Sequence, residues 1–298
     1  MLNTFRYWRE RGWQSIDADT YAETWARYGG SIMTHPGIVA GLSKLAEIPV
    51  RYLGFPMNGE LQGVIATWGR HLALSRDALK RFGKRDCFDL GNAESILPIA
   101  PDASLPVRFA GRYISGVNAQ NTTTLRPQRE RIALAKSPDE FSSKFLYNQR
   151  RELRIFLESG GCIRDVGEFT PAQLAAIYAE LFSRRWDKPV PAGSHLPETL
   201  TIMRPYTFGS LLEMQGSIIA VQLLYRVESP GWVSVEYING GVDPAFSKFS
   251  PGSIATFLNV RTAWEQARSI GKSLRYSFGR VDRDYKMRWC KPVAVFRT

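Results

Sequence analysis

Three stretches decide the fold: Ser250-Pro251-Gly252, Leu274-Arg275-Tyr276-Ser277-Phe278-Gly279, and the closing Tyr285-Lys286-Met287-Arg288-Trp289. Ser250 reads as an N-cap, Pro251 as a first helical residue whose ring presets φ, and Gly271 as the residue that stops the helix. Between them Phe257, Val260, Trp264 and Ala267 recur on one face, the period of a helix. Alternation then predicts a strand with Leu274, Tyr276 and Phe278 on one side, ended by Gly279 where charged residues crowd in. The closing run reads as a charged strand end, the place where α/β sheets hold ligands.

Charge is concentrated around the same stretch. The 298-residue chain carries a net charge of +11, and the segment from Ser250 to Thr298 has ten Arg/Lys against three Asp/Glu. Such a field suits polyanions, anionic lipid surfaces or phosphorylated substrates. Cys87, Cys162 and Cys290 stand far apart and His35, His71 and His195 stand singly, so neither offers metal-ligand spacing. The amino-terminal segment has no apolar signal core and no run is long enough to span a bilayer, which places the chain in the cytoplasm. Peripheral contact with the inner face of the inner membrane fits the aromatic and basic mixture Phe5-Arg6-Tyr7-Trp8-Arg9-Glu10-Arg11-Gly12-Trp13.

The two halves share an outline. In the first, helices are expected over Thr20 to Tyr28 and from Pro36, followed by a hairpin around Asn58-Gly59. In the second, a helix from Pro171 to near Trp186 precedes a hairpin around Gln215-Gly216 and a further strand from Trp232 to Ile238. Between them Phe141 to Gly160 reads as a basic amphipathic helix with Arg150, Arg151 and Arg154 clustered, either a phosphate-tracking arm or a salt-bridged linker. The order of helices, hairpin, strand, helix and strand resembles an acetyltransferase-type (GNAT) α+β domain. Its near repetition predicts two in tandem, with mixed sheets flanked by helices, divided into residues 1–135 and 136–298.

Ser250-Pro251-Gly252, the helix after it, Phe278-Gly279-Arg280 and Tyr285-Lys286-Met287-Arg288-Trp289 resemble the signature of the FemAB-like and BioF2-like branch of the acetyltransferase superfamily, over roughly Lys136 to Phe296. With its Met33-Thr34-His35-Pro36 segment, the whole chain further resembles the Mig family of bacterial proteins, linked to antimicrobial-peptide resistance and so to virulence. The resemblance implies acyl-type transfer to an amine. In Fem-type enzymes the donor is an aminoacyl-tRNA and the acceptor an amino group on a cell-envelope precursor, here expected to be lipopolysaccharide or another envelope glycolipid. The lysine matching Lys286 contacts substrate phosphate or the tRNA end. No bound cofactor is implied; acyl-CoA is the alternative donor, but Lys248-Phe249-Ser250-Pro251-Gly252-Ser253 has one loop glycine and a proline where CoA users have a glycine-rich pyrophosphate loop.

Transfer of an ester to an amine needs a positioned carbonyl, a deprotonated nucleophile and a donor aimed at the oxyanion. The candidates are Lys286 for phosphate or oxyanion, and Asp282 or Glu236 for the amine proton. Arg280, Arg283 and Arg288 would supply charge, Tyr285 or Trp289 a stacking face for a terminal base, and Ser250 and Gly252 the helix entrance. Trp186, with Arg184, Arg185 and Lys188, closes a helix near the expected donor, although cations at a helix carboxyl end already complement its dipole. A non-enzymatic protein binding an anionic membrane surface is the rival class.

Overall fold

The computed structural model describes Leu2–Thr298, with side chains from Arg6 onward, so Phe5 of the aromatic run lies outside the described side chains. Strands β1 (Gln14–Ile16), β2 (Arg51–Met57), β3 (Glu60–Trp68) and β4 (His71–Leu72) form an antiparallel sheet in that order. Eight more strands follow: β5 (Ile114–Ser115), β6 (Arg126–Ala135), β7 (Cys162–Asp165), β8 (Ser210–Met214), β9 (Ser217–Glu228), β10 (Trp232–Val242), β11 (Ser273–Arg280) and β12 (Cys290–Arg297). They build a mixed sheet of order β5-β12-β6-β11-β10-β9-β8-β7, in which β10 and β11 form the parallel pair.

The helices are α1 (Leu2–Glu10), α2 (Ala18–Tyr28), α3 (Pro36–Leu45), α4 (Arg76–Arg81), α5 (Ser143–Glu158), α6 (Pro171–Trp186), α7 (Leu196–Met203), α8 (Pro251–Ser269) and the single turn α9 (Lys286–Trp289). Both expected hairpins form. Asn58 and Gly59 take φ of +53° and +84°, and Gln215 and Gly216 take +54° and +75°, the left-handed pair that matches strand twist. The architecture is α+β, as the element order predicts.

Three local readings change. Ser250 precedes α8 but is left-handed (φ +52°) and makes no side-chain cap, because the turn Pro244–Phe249 runs directly into it. Its carbonyl instead accepts the N–H groups of Ser253 and Ile254 at 2.9 and 3.2 Å. The closing run is a turn and α9 rather than a strand end, and it feeds β12 into the sheet between β5 and β6. Strand β6, on the amino-terminal side of the expected 135/136 division, pairs inside the larger sheet with β11 and β12.

One core joins the halves. Tyr21, Trp25, Val64 and Trp68 belong to the same buried cluster as Tyr178, Phe182, Val221 and Tyr225. A second cluster beneath β10 and β11 holds Val233, Val235, Tyr276 and Phe278 under α8. At about 1.5–3 kcal/mol per buried large side chain, these clusters dominate the folding energy. In the amino-terminal segment Trp13 is buried, its indole N–H donating to the Pro106 carbonyl at 2.8 Å, so it does not belong to a surface anchor. Trp8 is exposed beneath the Arg108 guanidinium. Among the described residues no helix is long and apolar enough to cross a membrane.

Candidate active site

The parallel pairing of β10 with β11 runs from Trp232↔Ser273 to Glu236↔Ser277, and Ile238 then bulges out of the β9 ladder. The two strands part at that point. Gly279 turns the chain with φ of +67°, a left-handed conformation that glycine adopts without strain. The opening is lined on one side by Glu236, Tyr237, Gly279, Arg283 and Tyr285, and faces the segment from Asp89 to Ala93. A neighbouring cavity lies at the start of α8, lined by Ser250, Gly252, Ser253, Arg185 and Arg288. Tyr237 and Tyr285 line both cavities and so stand at their junction.

Burial pushes both phenols above the usual tyrosine range, with the Arg185 guanidinium beside them pulling the other way. They remain protonated donors at neutral pH. Arg185 itself is fixed by a 3.1 Å hydrogen bond to the Gly240 carbonyl and stacks on the Trp186 ring, which Arg283 also covers. The Trp186 indole N–H is buried and finds no partner among the described residues. At the other entrance, Pro251 has no N–H and the Ser253 N–H turns onto Ser250, leaving the Gly252 amide as the donor of the first turn. The first turn of α8 therefore presents one free amide rather than several.

The expected catalytic residues are differently employed. Lys286 is buried, and its ammonium donates to the carbonyls of Phe278 at 2.8 Å and Arg280 at 2.7 Å while pairing with Asp282 at 2.9 Å. With its three protons engaged, it has none for a phosphate; it holds the turn that places Tyr285. Asp282, paired with Lys286 and more loosely with Arg280 at 3.7 Å, is a partner of cations rather than a free base.

Glu236 does point away from Val233 and Val235 into the cleft, as the alternation predicts. Its carboxyl is fully buried and accepts the Glu94 N–H at 2.9 Å. Burial, reinforced by the charge of Glu94, raises its pKa well above the usual carboxylate value, which disfavours the ionised form a general base needs. Glu94 is the partner of Arg275: Arg275 Nε donates to it at 2.9 Å, a second guanidinium nitrogen binds its other oxygen, and Ser115 accepts from the same guanidinium at 3.2 Å.

Of the remaining candidates, Arg280, Arg283, Tyr285 and Trp186 line the first cavity, and Arg288, Ser250 and Gly252 the second. Trp289 is 4% exposed and packs edge-on against Phe145 at 5.1 Å, so it is core with one edge on the second cavity and cannot stack a base. Arg150, Arg151 and Arg154 project from the exposed face of α5, outside both cavities, because Phe145, Leu153 and Phe156 turn the other face onto the core. Sequence reading missed Glu94, Arg275 and Tyr237 as site residues, while Arg185, expected near the donor, does line the second cavity. For Arg275 and Glu236 the signal was there: both alternate with core residues, which sends two charges to one side of adjacent strands.

The α+β fold, with its bulged, splayed parallel pair and a cation-lined cleft at the carboxyl ends of those strands, is similar in architecture to that of FemX. The crystal structure of FemX superimposes over 96% of this chain and 96% of its own with a TM-score of 0.56 at 12% identity. The chain belongs to the Mig-14 family, whose profile matches residues 35–298. L-PGS from Bacillus licheniformis aligns at 14% identity over 95% of this chain and 91% of its own, with a TM-score of 0.48. The C-terminal domain of a putative lysylphosphatidylglycerol synthetase from Agrobacterium fabrum gives 12% identity, 94% and 90% coverage, and a TM-score of 0.46. No curated protein sequence matches the chain.

Proposed function

We propose that the protein is an aminoacyltransferase that moves an aminoacyl group from an aminoacyl-tRNA onto an amine of a cell-envelope precursor. The observation that carries this reading is the meeting of two cation-lined cavities at Tyr237 and Tyr285. A donor entering along α8 would bring its ester carbonyl to the junction, with Arg288 and Arg283 on its phosphates. The acceptor amine attacks that carbonyl, a C–N bond forms and the ester C–O bond breaks. Tyr285 gives its proton to the leaving oxygen and is reprotonated with the proton the amine loses. Tyr237 is the donor to the oxyanion.

The single free amide at the α8 entrance favours tRNA over acyl-CoA, because tRNA needs scattered cations rather than a pyrophosphate cradle. A lipopolysaccharide precursor as acceptor would lower the negative charge of the envelope and so its attraction for cationic peptides. The test is to incubate purified protein with labelled aminoacyl-tRNA or acyl-CoA and an amine-bearing envelope glycolipid. Label should pass from the tRNA; transfer from acyl-CoA alone would replace the donor, and transfer from neither would leave the anionic-surface binding protein as the better account.

A further inference from the structure

A third cavity, of about 230 Å³, lies between the smaller sheet and the carboxyl end of β11, and the transferase reading gives it no role. The segment carrying Arg76 and Asp77 lines one side, the segment carrying Arg85 and Asp89 another, and Arg112 with Glu130 a third. It opens into the reaction cleft, because Arg76, Asp89, Asn92 and Arg280 line both spaces. Sequence reading passed over this region, which lacks periodicity.

Its charges are unusual in sign and in pairing. Arg112 is neutralised by Glu130 at 2.6 Å. Among the described residues, Arg76, Arg85, Asp77 and Asp89 make no ion pair, although all four line one cavity. Among the described residues Arg76 donates to the Asn92 side chain alone, at 3.5 Å. One oxygen of Asp89 accepts the Gly91 N–H at 2.8 Å, which fixes the carboxylate in the wall shared by this cavity and the reaction cleft. Two arginines and two carboxylates in a concave site that do not pair with one another are matched by a ligand carrying both signs. A simple anion would satisfy the arginines and be repelled by Asp89; a simple amine would do the reverse.

We propose that this cavity binds the acceptor, and that the acceptor carries a primary ammonium and a phosphate within one small unit. The phosphate lies between Arg76 and Arg85, and the ammonium faces Asp89, the carboxylate that borders the reaction cleft. The proposal rests on the transferase reading for the word acceptor, but its binding chemistry is independent of any transfer. A phosphorylated amino sugar and an aminoalkyl phosphate headgroup share this chemistry.

The experiment is calorimetric titration of the full chain, without donor, with glucosamine 1-phosphate and phosphoethanolamine, against glucose 1-phosphate, glucosamine and inorganic phosphate. At least one of the two zwitterions should bind tenfold or more tightly than every single-charge control, and which one does identifies the source. Asp89→Asn keeps the oxygen that holds Gly91 and should abolish the preference for glucosamine 1-phosphate over glucose 1-phosphate, or for phosphoethanolamine over inorganic phosphate. Arg85→Gln should weaken the zwitterion to the level of glucosamine alone. Equal binding with and without the amine, discrimination that survives Asp89→Asn, or no binding of either zwitterion would overturn the proposal. Transfer assays are read separately, so zwitterion binding without aminoacyl transfer would refute the transferase reading and leave the site standing.

Discussion

Glu236 on β10 accepts the backbone N–H of Glu94 at 2.9 Å, a hydrogen bond between residues 142 positions apart that ties the amino-terminal half to the wall of the reaction cleft. Burial and the neighbouring Glu94 carboxyl together favour the protonated form of Glu236.

The pH dependence of stability follows from that proton. The folded-state pKa of Glu236 is raised, so the native state binds more protons than the unfolded chain between the unfolded pKa and the higher folded one. Its contribution is complete below the unfolded value near 4.5 and is lost as pH rises towards the folded one. Glu236→Gln preserves the acceptor for Glu94 N–H and removes the titration. Denaturation midpoints followed across pH should show the variant gaining on the parent as pH rises, and parallel curves would refute a buried neutral carboxyl.

His35 works in the opposite direction. It lies between the rings of Trp25 and Tyr206, with centroids at 4.7 and 4.8 Å, and burial pushes its pKa down to about 4. Folded His35 therefore binds fewer protons than unfolded histidine, and its stabilising contribution, present above pH 6.5, is lost as pH falls to about 4. After discounting for partial solvent contact, His35→Phe should flatten the acid limb by about 1–2 kcal/mol in denaturant titrations.

Lys286 is predicted to be structural. Lys286→Met leaves the Phe278 and Arg280 carbonyls and Asp282 without their shared donor, and should lower stability by about 3 kcal/mol in urea unfolding. At a temperature where the variant remains folded, its affinity for tRNA should change little. A tenfold loss of tRNA binding with unchanged stability would restore Lys286 as a phosphate ligand.

Much of this was legible in the sequence, and the remainder was not for definable reasons. Asn58-Gly59 announces its hairpin because Asn and Gly tolerate paired positive φ, Gln215-Gly216 does so through its glycine, and α8 is written in the spacing of Phe257, Val260 and Ala267. Strand β12 was missed because Pro292 interrupts it; there it pairs with Ala133. The inward turn of Lys286 is invisible locally, since what draws it in is two carbonyls left open where Gly279 bends the chain. The Glu94–Arg275 pair joins residues 181 positions apart, and no short-range pattern encodes it.

Arg283 and Arg288 are predicted to act as separable phosphate contacts. Each alanine variant should weaken tRNA binding and lower the salt dependence of log K by about one, without altering the melting temperature. Filter binding over a range of potassium concentrations measures this, and an unchanged slope would remove that arginine from the donor path.

The most direct measurement is single-turnover transfer by Tyr285→Phe, with labelled aminoacyl-tRNA and an amine-bearing envelope glycolipid. Tyr285 is 36% exposed, so losing its hydroxyl should leave the fold intact. The account predicts a transfer rate reduced by about 10²-fold or more with tRNA affinity and melting temperature unchanged. A variant that transfers at the parent's rate would contradict a reaction centred where Tyr237 and Tyr285 join the two cavities.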